Sequence, residues 1–403
     1  MQYPALIVFL QPELKTERGG HFYQYISALI ESFKGKKIKS ILIGNEEFKN
    51  EIHQHPTYSF KKVNIPVHNR YLMFWNIIFE NIRCISEFRK IIEGISISQP
   101  DTLFFVDTIL NNKVLGFALA CRRNAKIFPN IRFAIVFRFT YKSNSTIYTW
   151  LQKKLHLWFY KILENLIVGN RILLITDSAL LKESYDNNIP PVTKLFPIPI
   201  RQTLYRNIQF NRKEKNNQCI GFIGGKGGYK GLDVFLKIII HLQNTPCTFL
   251  IHGVENTENL FHYANSKLNP EELTILYKIS DRLLTLSFLD EADYLLMFAK
   301  IDIILIPYSS LQFLEGTSSI FTESVSAGIV PMVPENTWMA HELQSVEFDE
   351  LIVDFANTQA VVKQLDEILN KKDAIQIKLN KILNNWQDYH SSENFTDILL
   401  SSL

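Results

Sequence analysis

The chain alternates short apolar runs with longer stretches whose apolar residues recur at helical spacing. Ala5–Leu10 (ALIVFL) contains no polar side chain, which marks a strand buried on both faces. A polar segment ending in Gly19-Gly20 follows. Phe22, Tyr25, Ile26, Leu29 and Ile30 then fall on one helical stripe, and Lys39–Gly44 (KSILIG) reads as a second strand. Strand, glycine loop, helix and strand in that order predict a parallel α/β layer. Further strands are predicted at Thr102–Val106, Phe133–Phe137, Leu173–Thr176 and Lys194–Ile198.

The alternation breaks at Arg201 to Gln218. This stretch follows Pro197 and Pro199 and crowds Asn207, Asn211, Lys213, Glu214, Lys215, Asn216 and Asn217 together, so a linker is expected over 201–217. A second series of strands is predicted at Cys219–Ile223, Thr248–His252, Leu284–Phe288, Asp302–Ile306 and Val330–Val333. One helix runs from Leu232 to about Leu242. Another opens with Asp290 as N-cap and Asp293 behind it, and runs to Lys300. The end of the chain, from about Ala374 to Leu403, is amphipathic. The organisation expected is an N-terminal Rossmann-like domain over 1–200, a second over 218–380, and a C-terminal helix over 381–403 packing back towards the first. Ligands of such sheets sit beyond the carboxyl ends of the strands.

Composition narrows the choice of partner. The chain has 403 residues, enough for two domains, with 46% hydrophobic and 21% charged residues. A net charge of +3 without a basic tail argues against nucleic acid. Cys84, Cys121, Cys219 and Cys247 form no C-x-x-C pair and match no zinc spacing, so buried thiols in a reducing compartment are expected, with no metal. The N-terminus lacks a basic region, and no run reaches the ~18 apolar residues of a membrane span. A cytoplasmic location is expected.

Two segments carry candidate chemistry. Gly221–Gly231 (GFIGGKGGYKG) links a strand to a helix, so its amides can face an anion, with Lys226 and Lys230 adding positive charge. It is neither of two known phosphate motifs. G-x-G-x-x-G from Gly225 and Gly227 fails at Lys230, and a P-loop fails because Gly227 and Gly231 follow the lysines. An ordinary tight turn remains the alternative. The second segment is Pro307 to Pro334. Glu315-Gly316 lies in a loop, Thr317, Ser318 and Ser319 can cap a helix to about Ala327, and Gly328 can close it. Amides after Gly316 can bind a diphosphate, and Glu323 further along can accept from paired hydroxyls.

Taken together, Glu315, seven residues, then Glu323, with Gly316 behind the first and Ala327-Gly328 closing the helix, resemble the family-4 glycosyltransferases of the GT-B fold (glycosyl transferases group 1). Phe222-Ile223-Gly224 with Lys230-Gly231, and Ala299–Pro307 (AKIDIILIP), are similar to the same family. The match is strong over Cys219–Pro334 and weak in the N-terminal half. The resemblance implies two Rossmann-like domains facing each other across a cleft and a retaining sugar transfer that uses no cofactor and no essential metal. The donor would be a nucleotide-sugar such as a UDP- or GDP-sugar. Lys230 would bind the donor diphosphate, aided by Gly224, Gly225, Lys226, Gly316 and the amides of Thr317, Ser318 and Ser319. Glu323 would hold the ribose, Glu315 the donor sugar, and backbone around Tyr308 and Ser309 the base. Glu315 and Lys230 would be the catalytic pair. Gly19, Gly20 and His21, with Asp107 and Arg138 at strand ends, would lie on the acceptor side. The acceptor would be a glycan, a lipid-linked sugar or a small molecule, as in polysaccharide biosynthesis.

Three positions depart from the family. Gly225 stands where an arginine is usual. Thr317-Ser318 replaces an aromatic-glycine pair. The N-terminal strand ends offer Asp107 and Arg138 in place of a histidine. These departures keep open a non-catalytic partner protein on the same scaffold, beside a sugar-nucleotide epimerase or phosphorylase. Arg70–Ile92 and Trp150–Lys161 mix aromatic and basic residues, fit either for peripheral contact with an anionic membrane or for a core-facing helix with a solvated basic face.

Overall fold

The computed structural model describes residues 3–12, 14, 21–48, 58–61, 70–107, 113–138, 146–187, 193–211, 218–225, 227–287 and 289–403, without the side chains of 21–22, 70–77, 146–149, 152 and 209–211. The chain forms two compact units. The first is Met1–Ile200 with Ser392–Leu403, and the second is Arg201–Ser391.

Unit one is built on six parallel strands: β1 (Leu6–Leu10), β2 (Lys39–Ile43), β3 (Thr102–Asp107), β4 (Arg132–Val136), β5 (Ile172–Thr176) and β6 (Thr193–Leu195), in the order β2-β1-β3-β4-β5-β6. The helices are α1 (His21–Gly35), α2 (Arg70–Ser98), α3 (Val114–Ile127), α4 (Thr146–Val168) and α5 (Ala179–Asp186). Alternation along each strand sorts its side chains to two faces. Leu6, Val8, Leu10, Phe104, Val106, Phe133 and Ile135 pack with Phe88 of α2, Phe117 of α3 and Phe159 of α4. Ile7, Phe9, Leu103, Phe105, Val136 and Ile175 pack with Ile26, Leu29 and Phe33 of α1. β6 is shorter than the predicted Lys194–Ile198, because Pro197 cannot donate to a ladder.

Unit two holds β7 (Gln218–Ile223), β8 (Cys247–His252), β9 (Leu283–Leu286), β10 (Ile303–Leu305), β11 (Val330–Pro334) and β12 (Ile352–Val353), parallel in the order β12-β11-β10-β7-β8-β9. Its helices are α6 (Gln202–Asn211), α7 (Leu232–His241), α8 (Thr257–Asn265), α9 (Pro270–Lys278), α10 (Glu291–Lys300), α11 (Ser310–Phe313), α12 (Ser319–Ser326), α13 (Trp338–Ser345), α14 (Thr358–Asn370) and α15 (Lys372–Tyr389). The expected linker is therefore largely helix. Tyr205 and Ile208 are buried on one side of α6, an apolar pair that the surrounding Asn and Gln residues conceal.

The expected C-terminal helix over 381–403 is two helices. After α15, Ser392 donates its N–H to the carbonyl of Ile200 at 3.0 Å, which takes the chain out of the first helix and into α16 (Ser392–Ser402) of unit one. There Phe395, Leu399 and Leu400 complete the face covered by α1. All four cysteines are buried and outside any disulfide, and burial pushes Cys84 up to about 12 and Cys247 up to about 11.

Candidate functional site: a diphosphate-sugar cradle in the second unit

The loop after β7 owes its shape to glycine. Gly231 has φ +74°, and a Cβ there would lie 2.1 Å from the carbonyl oxygen of Pro307. Gly225 has φ +66°, and a Cβ on Gly253 would come within 2.6 Å of its Cα. An arginine at position 225 would have to adopt a backbone that L residues rarely take, which accounts for the first departure from the family pattern. Lys226, the other expected cation, lies outside the described residues. The loop is tied to the exit of β10 twice. Ser309 N–H donates to Tyr229 O at 2.9 Å, and Tyr308 Oη donates to Ile223 O at 2.8 Å.

Lys230 ends the short turn Gly228–Lys230. Its ammonium sits 3.8 Å from the Tyr308 ring centroid, 5.1 Å from Phe313 and 5.4 Å from Tyr229. The rings attract the cation but exclude water, and this burial lowers its pKa to about 8. An incoming diphosphate would supply the counter-charge that the rings cannot.

α12 begins where the sequence places it. Ser318 is the N-cap, its Oγ accepting from Phe321 N–H at 3.4 Å. Gly328 (φ +68°) donates to Val325 O and Ile329 to Ser324 O, both at 2.9 Å, which closes the helix with a Schellman motif. Every residue of α12 is buried. A buried helix rich in Ser and Thr is tolerable because Thr322, Ser324 and Ser326 return their hydroxyls to the carbonyls of Ser318, Ile320 and Thr322. Glu315 and Gly316 are buried just ahead of it, with Thr317 half-buried.

Glu323 is 2% exposed and accepts from Tyr294 Oη of α10 at 2.7 Å. Burial pushes its carboxyl up to about 7, against the hydrogen bonds of Tyr294 and of Tyr205 from α6. Tyr308 joins the two charges. Lys230 lies over its ring, and its hydroxyl is raised first by burial and then by Tyr229 and Glu323. Lys230, Tyr308 and Glu323 thus form one array at the carboxyl edge of β7 and β10. His252, paired with Ile223 in register, ends β8 beside it. Its ring centroid is 5.8 Å from that of Tyr294, and burial lowers its pKa.

Sequence reasoning missed Tyr205, Tyr294 and His252. Tyr205 sat in the presumed linker. Tyr294 and His252 are single polar aromatics with no motif around them, and only the fold brings Tyr294 to Glu323 and His252 to Tyr294.

The acceptor-side residues are placed unevenly. Gly19 and Gly20 lie outside the described residues, as does the side chain of His21, which opens α1. Asp107 and Arg138 meet in unit one, 3.1 Å apart.

Comparison with known proteins places this geometry. The family described as Glycosyl transferases group 1 matches residues 206–387, nearly the whole of unit two. The second unit is a group 1 glycosyltransferase domain. No curated protein matches by sequence. Among solved structures, a glycosyltransferase from Rickettsia africae superposes with a TM-score of 0.66 at 13% identity, over 99% of this chain and 97% of that one. Sucrose-phosphate synthase from Thermosynechococcus elongatus gives 0.66 at 12% identity, over 98% and 97%. Anabaena Alr3699/HepE, in complex with UDP and glucose, gives 0.63 at 12%, over 98% and 99%. The two six-stranded parallel sheets are those of the GT-B fold, and the domain match makes the chain a glycosyltransferase.

Proposed function

We propose that this glycosyltransferase moves a hexosyl group, with retention at the anomeric carbon and without an essential metal, onto a hydroxyl of a glycan, lipid-linked or small-molecule acceptor. The array of Lys230, Tyr308 and Glu323 at the carboxyl edge of β7 and β10 carries the reading. Negative charge builds on the departing nucleoside diphosphate as the glycosidic bond breaks. Lys230 and the positive end of α12 are fixed donors for that charge, the role a metal plays elsewhere. Gly224, Gly225, Gly316 and the amides of Thr317–Ser319 line the phosphates, Glu323 accepts from the ribose diol, and Glu315 holds the sugar.

The deciding experiment incubates the chain with UDP-, GDP- and ADP-sugars and a range of acceptors, and reads products by mass spectrometry. Donor-dependent glycoside formation is expected, and it should be lost in Lys230→Ala and in Glu315→Ala. Unchanged turnover in both variants would remove the assignment. Epimerised nucleotide-sugar as the sole product would favour the epimerase reading, for which no contact within the site speaks.

The reading extends to a cytoplasmic enzyme working at the inner membrane face. α4 buries Leu155, Phe159 and Leu163 but exposes Trp150 (60%) and Trp158 (53%) beside Lys153, Lys154 and Lys161. A merely solvated basic face would not carry two tryptophans. The combination suits the headgroup region of an anionic bilayer, where the acceptor could be lipid-linked.

A further inference from the structure

Glu323 stands on a helix whose own sequence does little to fix it. α12 has eight residues, and Ser319, Thr322, Ser324, Val325 and Ser326 are all modest helix formers. The last carbonyls of so short a helix also need partners from outside it. α15, the last helix of unit two, supplies them. Trp386 Nε1 donates to Thr322 O at 3.2 Å, and Gln387 Nε2 donates to Ser326 O at 2.6 Å. The two carbonyls lie about one helical turn apart and flank Glu323.

Gln387 is fully buried and uses both ends of its amide. Its Oε1 accepts from Arg206 Nε of α6 at 3.1 Å, while Arg206 Nη2 donates to Asp388 at 2.9 Å. Arginine only donates and a backbone carbonyl only accepts, so the amide can take one orientation between α6 and α12. The residue before Arg206 is Tyr205, whose hydroxyl donates to the Glu323 carboxylate, as that of Tyr294 does. The rings of Tyr205 and Tyr294 both pack on Phe298 of α10, at centroid separations of 6.2 and 4.9 Å. Glu323 is thus held twice: through its helix by α15, and at its carboxylate by α6 and α10.

Helix capping accounts for the bonds to Thr322 and Ser326, but not for the tie from the capping amide to the neighbour of Tyr205. An ionised carboxylate offers about four lone-pair sites. Two tyrosine hydroxyls take two of them and leave the pair that a vicinal diol needs. We propose that Tyr205, with Arg206 and Gln387 behind it, aims Glu323 at the two hydroxyls of the donor ribose. This rests on the reading of Glu323 as the group that holds the ribose. All three are positioning residues, acting through Glu323 and not on the donor; a binding group reaches its geometry only when its neighbours lock it there.

The test is calorimetric titration of the full chain with UDP, GDP and ADP and with their 2′,3′-dideoxy counterparts. In the wild type, at least one nucleotide should bind about tenfold more tightly than its dideoxy counterpart, the worth of a hydrogen bond to a charged group. In Tyr205→Phe and in Gln387→Met, which keeps both tyrosine hydroxyls, that ratio should fall to about threefold or less, with dideoxy affinity changed less than about twofold. A merely structural role would weaken both nucleotides alike and keep the ratio. A ratio that survives in either variant therefore overturns the proposal. Should Gln387→Met not fold, Tyr205→Phe decides alone. The wild type separates this claim from the one beneath it. Equal binding of a nucleotide and its dideoxy form removes the ribose role of Glu323 and the proposal with it, and failure to bind any nucleotide removes the donor site as a whole. A wild-type ratio left unchanged by the substitutions removes the positioning role only.

Discussion

Lys230 and Glu323 both titrate near neutrality, and for the same cause: each charge is held away from water. Donor binding needs the lysine protonated and the glutamate ionised. The lysine loses its proton above about 8 and the glutamate gains one below about 7, so the donor KM should pass through a minimum between those values. Lys230→Gln should remove the alkaline limb. Tyr294→Phe removes a donor that favours the ionised carboxylate, so it should move the acid limb to higher pH and leave kcat nearly unchanged. Initial-rate kinetics across pH check both. An acid limb unmoved in Tyr294→Phe would mean that Glu323 does not grip the donor.

The same carboxyl has a second consequence at the residue scale. Its folded value is raised from 4.5 to about 7, so the folded state keeps a proton that the unfolded chain has lost between those values. Stability from this group is therefore present below the unfolded value and is lost as pH rises through the folded one. Glu323→Gln should raise the melting temperature at pH 8, should not raise it at pH 4, and should weaken donor binding at pH 8 but little at pH 4, where the wild-type carboxyl already carries its proton.

At the scale of elements, the turn from β7 into α7 depends on backbone freedom at one position. Gly231→Ala adds left-handed backbone strain to a collision with Pro307, and should cost about 2–4 kcal/mol in chemical denaturation of unit two. Gly228→Ala, with nothing within 4 Å of its new methyl, should cost much less. Much of this architecture was readable in advance. Apolar runs such as ALIVFL and the Asp290 and Ser318 caps mark their elements locally. β12 was not readable, because Ile352–Val353 is too short to set up an alternation. α6 hid behind its composition. Of the donor site, Lys230 and Glu323 follow from glycine spacing and helix position. The tyrosine partners of Glu323 come from α6 and α10, far away in sequence, and no local pattern announces such a pairing.

At the scale of the whole molecule, two predictions depend on how the chain is distributed. If the ridge of α4 meets lipid, full-length protein should float with vesicles containing anionic lipid and less with neutral ones. Trp150→Ala with Trp158→Ala should weaken this without altering donor binding, and Lys153→Glu with Lys154→Glu should steepen the loss at low salt. The second concerns the last twelve residues. Removing Ser392–Leu403 strips Phe395, Leu399 and Leu400 from the core of unit one, each a loss of about 3 kcal/mol or more. Unit one should melt early or aggregate, while Arg201–Ser391 keeps its nucleotide affinity, as two-step calorimetry would show.

That C-terminal return also sets a timetable for biosynthesis. A ribosome delivers the first two hundred residues long before α16, so the opening sheet must wait, with one face incompletely covered, until Ser392–Leu403 has been made. The half made later has all its strands and helices once Ser391 emerges, and it can fold before its predecessor is complete. Nascent chains stalled short of Ser392 should therefore recruit chaperones to the N-terminal half, and emergence of α16, rather than of the first two hundred residues, should be the event that frees them.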